Sequence, residues 1–130
     1  ASGNFSLLAD TLALCGDAVN IWSGNDDHAL PMMSMGAKGL ISVVSNLAPE
    51  PMVQLTHSFL EGDLERARAL QIAYTPLTRA LFSQVNPVPV KAAMKDAGLD
   101  SGILRLPLWE MDQEPLEKLR ETVKAANLTL

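Results

Sequence analysis

The feature that most constrains this chain is a pair of short apolar runs, Val19–Trp22 and Leu40–Val44, set among helical patterns. The second is rich in β-branched residues and shows no regular polar alternation. A strand that is apolar on both faces belongs to a parallel sheet covered by helices. Such strands need neighbours on both edges, because bare apolar edges leave backbone groups unpaired and invite aggregation. Two of them are too few for a free-standing sheet. The chain therefore reads as part of a larger one.

The surrounding pattern has the rhythm of an α/β fold. Asn4 or Ser6 can cap a helix whose apolar positions are Phe5, Leu8, Ala9 and Leu12, with Gly16 as its stop. Asp26 or Asp27 can cap a second helix running to Met35 and stopped by Gly36. Pro31 is tolerable only near that helix's first turn. From Pro49 onward the pattern is helical. Pro51–Leu60 carries apolar residues at Met52, Val53, Leu55 and Phe59, and Asp63 opens a long helix that Pro76 should kink. Asn86-Pro87-Val88-Pro89 reads as a stiff, extended connection, followed by a short helix over Val90–Ala97. Asp112 caps a final helix, with Pro115 in its first turn and Leu116, Leu119, Val123 and Ala126 on its buried face. The division expected is an α/β unit over residues 1–61 and an all-α unit over 62–130.

Several function classes are disfavoured by composition. Net charge is −5 and the sequence pI about 4.8, with lysines and arginines spread along the chain. Nucleic-acid binding needs a concentrated basic face, so none is expected. No apolar stretch approaches the roughly 20 residues of a membrane span. A soluble, cytoplasmic protein is the expectation. Cys15 is the single cysteine, which fits a reducing compartment. No secretory pattern opens the sequence. Neither a zinc spacing nor a Ser-His-Asp arrangement is evident, and His28 and His57 stand far apart. No metal is expected. Adjacent Asp26 and Asp27 read as a helix cap with a favourable charge for the dipole. On residue type alone, Gly24 reads as a turn residue and Ile41 as core.

Three motifs in order, Ser23-Gly24-Asn25-Asp26, Gly39-Leu40-Ile41-Ser42-Val43 and Asn86-Pro87-Val88-Pro89-Val90-Lys91, together resemble the dihydrodipicolinate synthase family. The resemblance runs the length of the chain and includes Leu104-Arg105-Leu106-Pro107. It implies a TIM (β/α)8 barrel followed by a helical extension, of which this chain would hold the last two strands, their helices and the extension. The fragment would thus be helix-dominated. The implied activity is that of a class I, aldolase-type lyase condensing pyruvate with aspartate-4-semialdehyde, in lysine and diaminopimelate biosynthesis. It uses a lysine Schiff base and no separate cofactor.

In the family that lysine stands in a Lys-Glu-Ala-(Ser/Thr)-Gly-Asn run. Ala1-Ser2-Gly3-Asn4 matches the end of it, so the lysine is expected upstream of Ala1. By the resemblance Gly24 and Ile41 become substrate-binding residues, acting through the main chain, with the Ile41 carbonyl facing bound pyruvate. Asn25 departs from the acidic residue often found at its position. Phe5, Pro31, Ser34 and Met35 become candidate subunit contacts of a homotetramer. Lys38, Lys91, Lys95, Lys118 and Lys124 match no catalytic position, so the chain alone is expected to be inactive. Its partners would be the N-terminal half of the same barrel, further subunits and small-molecule substrates. A sister pyruvate aldolase such as an N-acetylneuraminate lyase, or a non-catalytic assembly module, are the alternative readings.

Overall fold

The computed structural model describes residues 2–126. Ala1, the reference point for the expected upstream lysine, lies outside the described residues, as do positions 127–130 of the expected all-α unit. Helix α1 spans Phe5–Cys15. The Asn4 side chain accepts a hydrogen bond from the Leu7 N–H at 3.0 Å, satisfying one of the free donors of the first turn. Gly16, at φ 51°, ends the helix in a conformation that a Cβ disfavours. Only Leu8 of α1 is buried, while Leu14 is 87% exposed, so most of its apolar surface meets no partner.

The two expected strands do not form as continuous strands among the described residues. Instead, Ser23 and Leu40 make a single parallel bridge. Three backbone hydrogen bonds hold the segments together: Lys38 N–H to the Ile21 carbonyl (2.8 Å), Ser23 N–H to Gly39 (2.9 Å) and Ile41 N–H to Ser23 (2.7 Å). The parallel direction is as expected, but the length is not. Among the described residues each segment pairs only with the other, and a parallel ladder this short lacks the flanking pairs that hold a strand extended. Beyond Ile41 the backbone instead turns into a short 3₁₀ element, Val44–Asn46. Gly39 serves close approach, since a Cβ there would lie 2.8 Å from the Trp22 ring.

The second helix also differs from expectation. Asp26–His28 is a 3₁₀ turn leading into α2, Ala29–Ser34, and neither Asp26 nor Asp27 caps it through a side chain. Helix α3 (Pro49–Leu60) and α4 (Leu64–Ala73) form an antiparallel pair, with Asp63 accepting from the Arg66 N–H at 3.0 Å. The kink anticipated at Pro76 is a full break: α4 ends at Ala73 and α5 (Thr75–Leu81) restarts beyond Tyr74. Proline restricts the residue before it and lacks an N–H, so the interruption falls just upstream. The Asn86–Pro89 stretch is not extended. It turns through a cis Asn86–Pro87 bond, and α6 (Val88–Asp96) begins at once with Pro89 in its first turn. Asp112 takes the extended backbone of a cap before α7 (Gln113–Ala125), without a side-chain capping bond.

A contiguous apolar core joins Ala29, Val44 and Leu47 to Leu55, Leu77, Leu81, Val90 and Leu119. It draws on residues from both sides of position 61. Leu55, Leu77, Leu81 and Leu119 are fully enclosed, and Leu116, Val123 and Ala126 lie against them as the helical spacing predicts.

Candidate functional site

The site grows from the bridge. Because Ile41 N–H donates to the Ser23 carbonyl, the peptide joining Ser23 to Gly24 lies beside the one joining Leu40 to Ile41. Both segments run in the same direction, so Gly24 and Ile41 stand side by side at their C-terminal ends. Gly24 is half-buried and the Ile41 side chain is 68% exposed, which removes the reading of Ile41 as core of this chain. Among the described residues no donor reaches the Ile41 carbonyl. Ser23 is fully buried, and its hydroxyl donates to the Asn25 carbonyl at 2.8 Å, which shapes the turn after Gly24.

Asp26 is the residue that sequence reasoning misplaced. It is 1% exposed, and its carboxylate points across the bridge instead of along α2. There it accepts from the Ser42 hydroxyl, from the Val43 N–H at 3.0 Å and from the Val44 N–H at 3.4 Å. The Ser42 oxygen in turn accepts from the Ser45 N–H at 2.8 Å. A buried carboxylate is costly unless its oxygens are satisfied, and each hydrogen bond to a charged group contributes about 1.5–3 kcal/mol. The amides at the start of the Val44–Asn46 turn satisfy it here. Gln71 of α4 grips the same residue from behind: its amide donates to the Asp26 carbonyl at 3.0 Å and accepts from the Leu30 N–H at 3.1 Å. Partners 16 to 45 positions apart in sequence leave no periodic signal, so local spacing could not reveal them.

Ser2–Asn4 lies against the same region. A cavity of about 200 Å3 is lined by Gly3, Asn4, Phe5, Trp22, Asn25 and His28 among others. A Cβ on Gly3 would sit 3.6 Å from His28 Cε1, and the Phe5 and His28 rings lie 5.3 Å apart. The motif expected to follow the Schiff-base lysine is thus next to the segment that carries Gly24. Of the candidate subunit contacts, Phe5 (37% exposed) turns towards this cavity, and Pro31, Ser34 and Met35 all reach the surface. The Ser34 hydroxyl is already engaged with the Pro31 carbonyl at 2.7 Å.

The lysines are placed elsewhere. Lys91 Nζ grips both oxygens of Asp100 at 2.8 and 2.9 Å, and that hydrogen bond, with the Gly102 N–H, holds the Asp100 carboxyl below its ordinary range. Lys118 pairs with Glu114 at 2.6 Å, and Lys95 approaches Glu110 at 4.0 Å. Lys38 enters the bridge three residues before Ile41, roughly 10 Å away at the rise of an extended chain. Arg120 binds Asp96 through two nitrogens at 2.6 and 3.0 Å, lowering that carboxyl as well. Among the described residues, no cluster of three or more histidine, cysteine or acidic side chains could hold a metal ion, and no helix is long and apolar enough to cross a membrane.

The comparisons with known proteins agree on one family. The model of the dihydrodipicolinate synthetase family matches residues 1–126. A 4-hydroxy-tetrahydrodipicolinate synthase of Thermoanaerobacter sp. (strain X514) is 42% identical over 128 residues, covering 98% of this chain and 43% of the relative. One of Clostridium novyi (strain NT) is 40% identical over 129 residues, covering 99% and 44%. The crystal structure of dihydrodipicolinate synthase from Aquifex aeolicus superposes with a TM-score of 0.95 at 39% identity, over all of this chain and 44% of its own. That from Thermotoga maritima gives 0.92 at 38% identity, over 98% of this chain and 44% of its own. The chain spans less than half the length of these relatives.

Proposed function

The chain belongs to the dihydrodipicolinate synthetase family, and from that premise we propose that it is the C-terminal part of a pyruvate-dependent Schiff-base lyase. The parent protein is a TIM barrel with a helical extension, condensing pyruvate with aspartate-4-semialdehyde on the route to diaminopimelate and lysine. The observation that carries this reading is the pairing of Gly24 and Ile41 at the ends of two parallel segments. In a parallel barrel the C-terminal strand ends form the active face. The Ile41 carbonyl, free of donors among the described residues, supplies an acceptor there.

The chemistry needs a primary amine that attacks the keto carbon and loses water to leave an imine. Protonation of that imine acidifies the neighbouring methyl group, so that it can be deprotonated and add to an aldehyde. A carbonyl acceptor beside the imine nitrogen favours its protonated form. Ile41 takes that part in this reading, and Gly24 lets the keto acid approach the main chain closely. The amine itself comes from the half of the barrel that precedes Ser2-Gly3-Asn4. Lys91 is committed to Asp100, and Lys38 stands at the wrong end of its segment. Exposed Trp22 and Ile41 at the open bridge are the surfaces that the rest of the barrel would cover. The parent is a cytoplasmic homotetramer in this reading, with Phe5, Pro31, Ser34 and Met35 as its candidate subunit contacts.

Borohydride trapping with pyruvate, read by intact mass, tests the assignment. The expected result is a reduced adduct on the polypeptide that carries the preceding half of the barrel, and none on residues 1–130. An adduct on Lys38 or Lys91 would overturn it.

A further inference from the structure

We propose that Asp26 is a positioning residue for the keto-acid site: its buried carboxylate locks the turn after Ile41 to the turn after Gly24. The inference rests on the reading that Gly24 and Ile41 meet the substrate. Asp26 lies two residues beyond Gly24, and its three acceptor contacts fall on Ser42, Val43 and Val44, the residues that follow Ile41. Of the three backbone hydrogen bonds between the two segments, the one nearest their C-terminal ends among the described residues runs from Ile41 N–H to the Ser23 carbonyl. One such bond leaves the Ile41 carbonyl free to swing about it. The carboxylate adds a second attachment on the far side of that carbonyl, so the peptide after Ile41 is held at both ends.

The hold is rigid because Asp26 itself is fixed. Its carbonyl accepts from Gln71 at 3.0 Å, and its side chain is 1% exposed. Ser42 relays the constraint by accepting from the Ser45 N–H, which sets the start of the 3₁₀ turn. Asp26 need not touch the reacting atoms to do this. A displacement of the acceptor carbonyl by a fraction of an ångström weakens a hydrogen bond to the bound keto acid, and the loss falls on binding geometry.

The test uses the full-length protein that contains this chain, with Asp26→Asn, Ser42→Ala, Ser42→Thr and, as a probe of the underlying reading, Gly24→Ala. Kinetics with pyruvate and a thermal midpoint are recorded for each. A purely structural role would lower the folded fraction, hence apparent kcat, and leave KM for pyruvate unchanged. The positioning role raises that KM by about tenfold in Asp26→Asn and Ser42→Ala, and Ser42→Thr, which keeps the hydroxyl, restores it. If Gly24→Ala raises KM while Asp26→Asn and Ser42→Ala do not, the positioning proposal is overturned and the site reading stands. If none of them moves KM, both fail together. Should Asp26→Asn not fold, the Ser42→Ala and Ser42→Thr pair decides alone.

Discussion

The packed faces of the helices from Pro49 onward and the bridged segments around Trp22 and Ile41 are closed to different degrees. In the first, Leu55, Leu77, Leu81 and Leu119 are at most 2% exposed. In the second, Trp22 is 50% and Ile41 68% exposed, and the two segments share one bridge. The helices close on one another because each needs to bury only one stripe. A segment apolar on both faces cannot be closed by one neighbour. The contrast shows that helices can close on one another within this chain while a two-segment bridge leaves Trp22 and Ile41 uncovered.

The largest effect should come from the closed region. Leu55→Ala or Leu81→Ala should cost about 2–5 kcal/mol through lost burial and a residual cavity. Set against a typical domain stability of about 5–15 kcal/mol, either change would bring the chain close to unfolding in mild urea. Leu14, 87% exposed on α1, provides the control. Its substitution by alanine should shift the midpoint by no more than about 0.5 kcal/mol. Equal costs at Leu14 and Leu81 would break the comparison.

A smaller effect sharpens it, because a side chain of the helical region is hydrogen-bonded to the backbone of the other. Gln71 links α4 to the Asp26 carbonyl and the Leu30 N–H. Gln71→Ala should cost about 1–3 kcal/mol by leaving those groups without partners. Amide exchange should accelerate at Leu30 while Leu119 stays protected. Uniform acceleration across α5 and α7 would mean that the two regions unfold as one unit.

Much of this architecture was legible from local chemistry. Asn4, Gly16 and Asp63 mark helix ends through short-range capping that spacing reveals directly. The Leu116, Leu119, Val123 stripe follows from the helical period. The two segments and their parallel direction were legible, but their shortness was not: a single bridge lacks the flanking pairs that hold a strand extended. Asp26 shows the same limit from another side. An aspartate before a helix suggests a cap, and its capping of a different turn 17 positions away is fixed by tertiary contact. Gly24 and Ile41 were singled out by resemblance; their juxtaposition came from the backbone hydrogen bonds.

Acid should affect the helical region through its surface pairs. The Asp100 carboxyl is held below its ordinary value of 3.8 first by the Lys91 hydrogen bond, and Asp96 is held down first by Arg120. A carboxyl whose folded value is depressed stabilises the fold above its unfolded value, and that contribution is lost as pH falls through the folded one. Unfolding midpoints should therefore fall in the range below about 3.8. Asp100→Asn should flatten part of that acid limb and lower the midpoint slightly at neutral pH. Because both pairs are partly solvated, added salt should shrink the difference. An acid limb unchanged in Asp100→Asn would remove this pair from the account.

The smallest effect in the chain itself belongs to the residue most important to the functional reading. Ile41 exposes most of its side chain, so Ile41→Ser should change the stability of this chain by no more than about 0.5 kcal/mol. The outcome changes if the preceding half of the barrel covers the open bridge. Burying an isoleucine is worth about 1.5–3 kcal/mol, so a polypeptide carrying the earlier strands should bind Ile41→Ser roughly tenfold or more weakly than the parent chain. Titration of that polypeptide into the two chains, followed by calorimetry, would read the difference. Equal affinities would mean that this edge is not where the rest of the sheet docks. A large loss of stability in the isolated chain would mean that the bridge region is already closed, and the contrast between the two regions would fail.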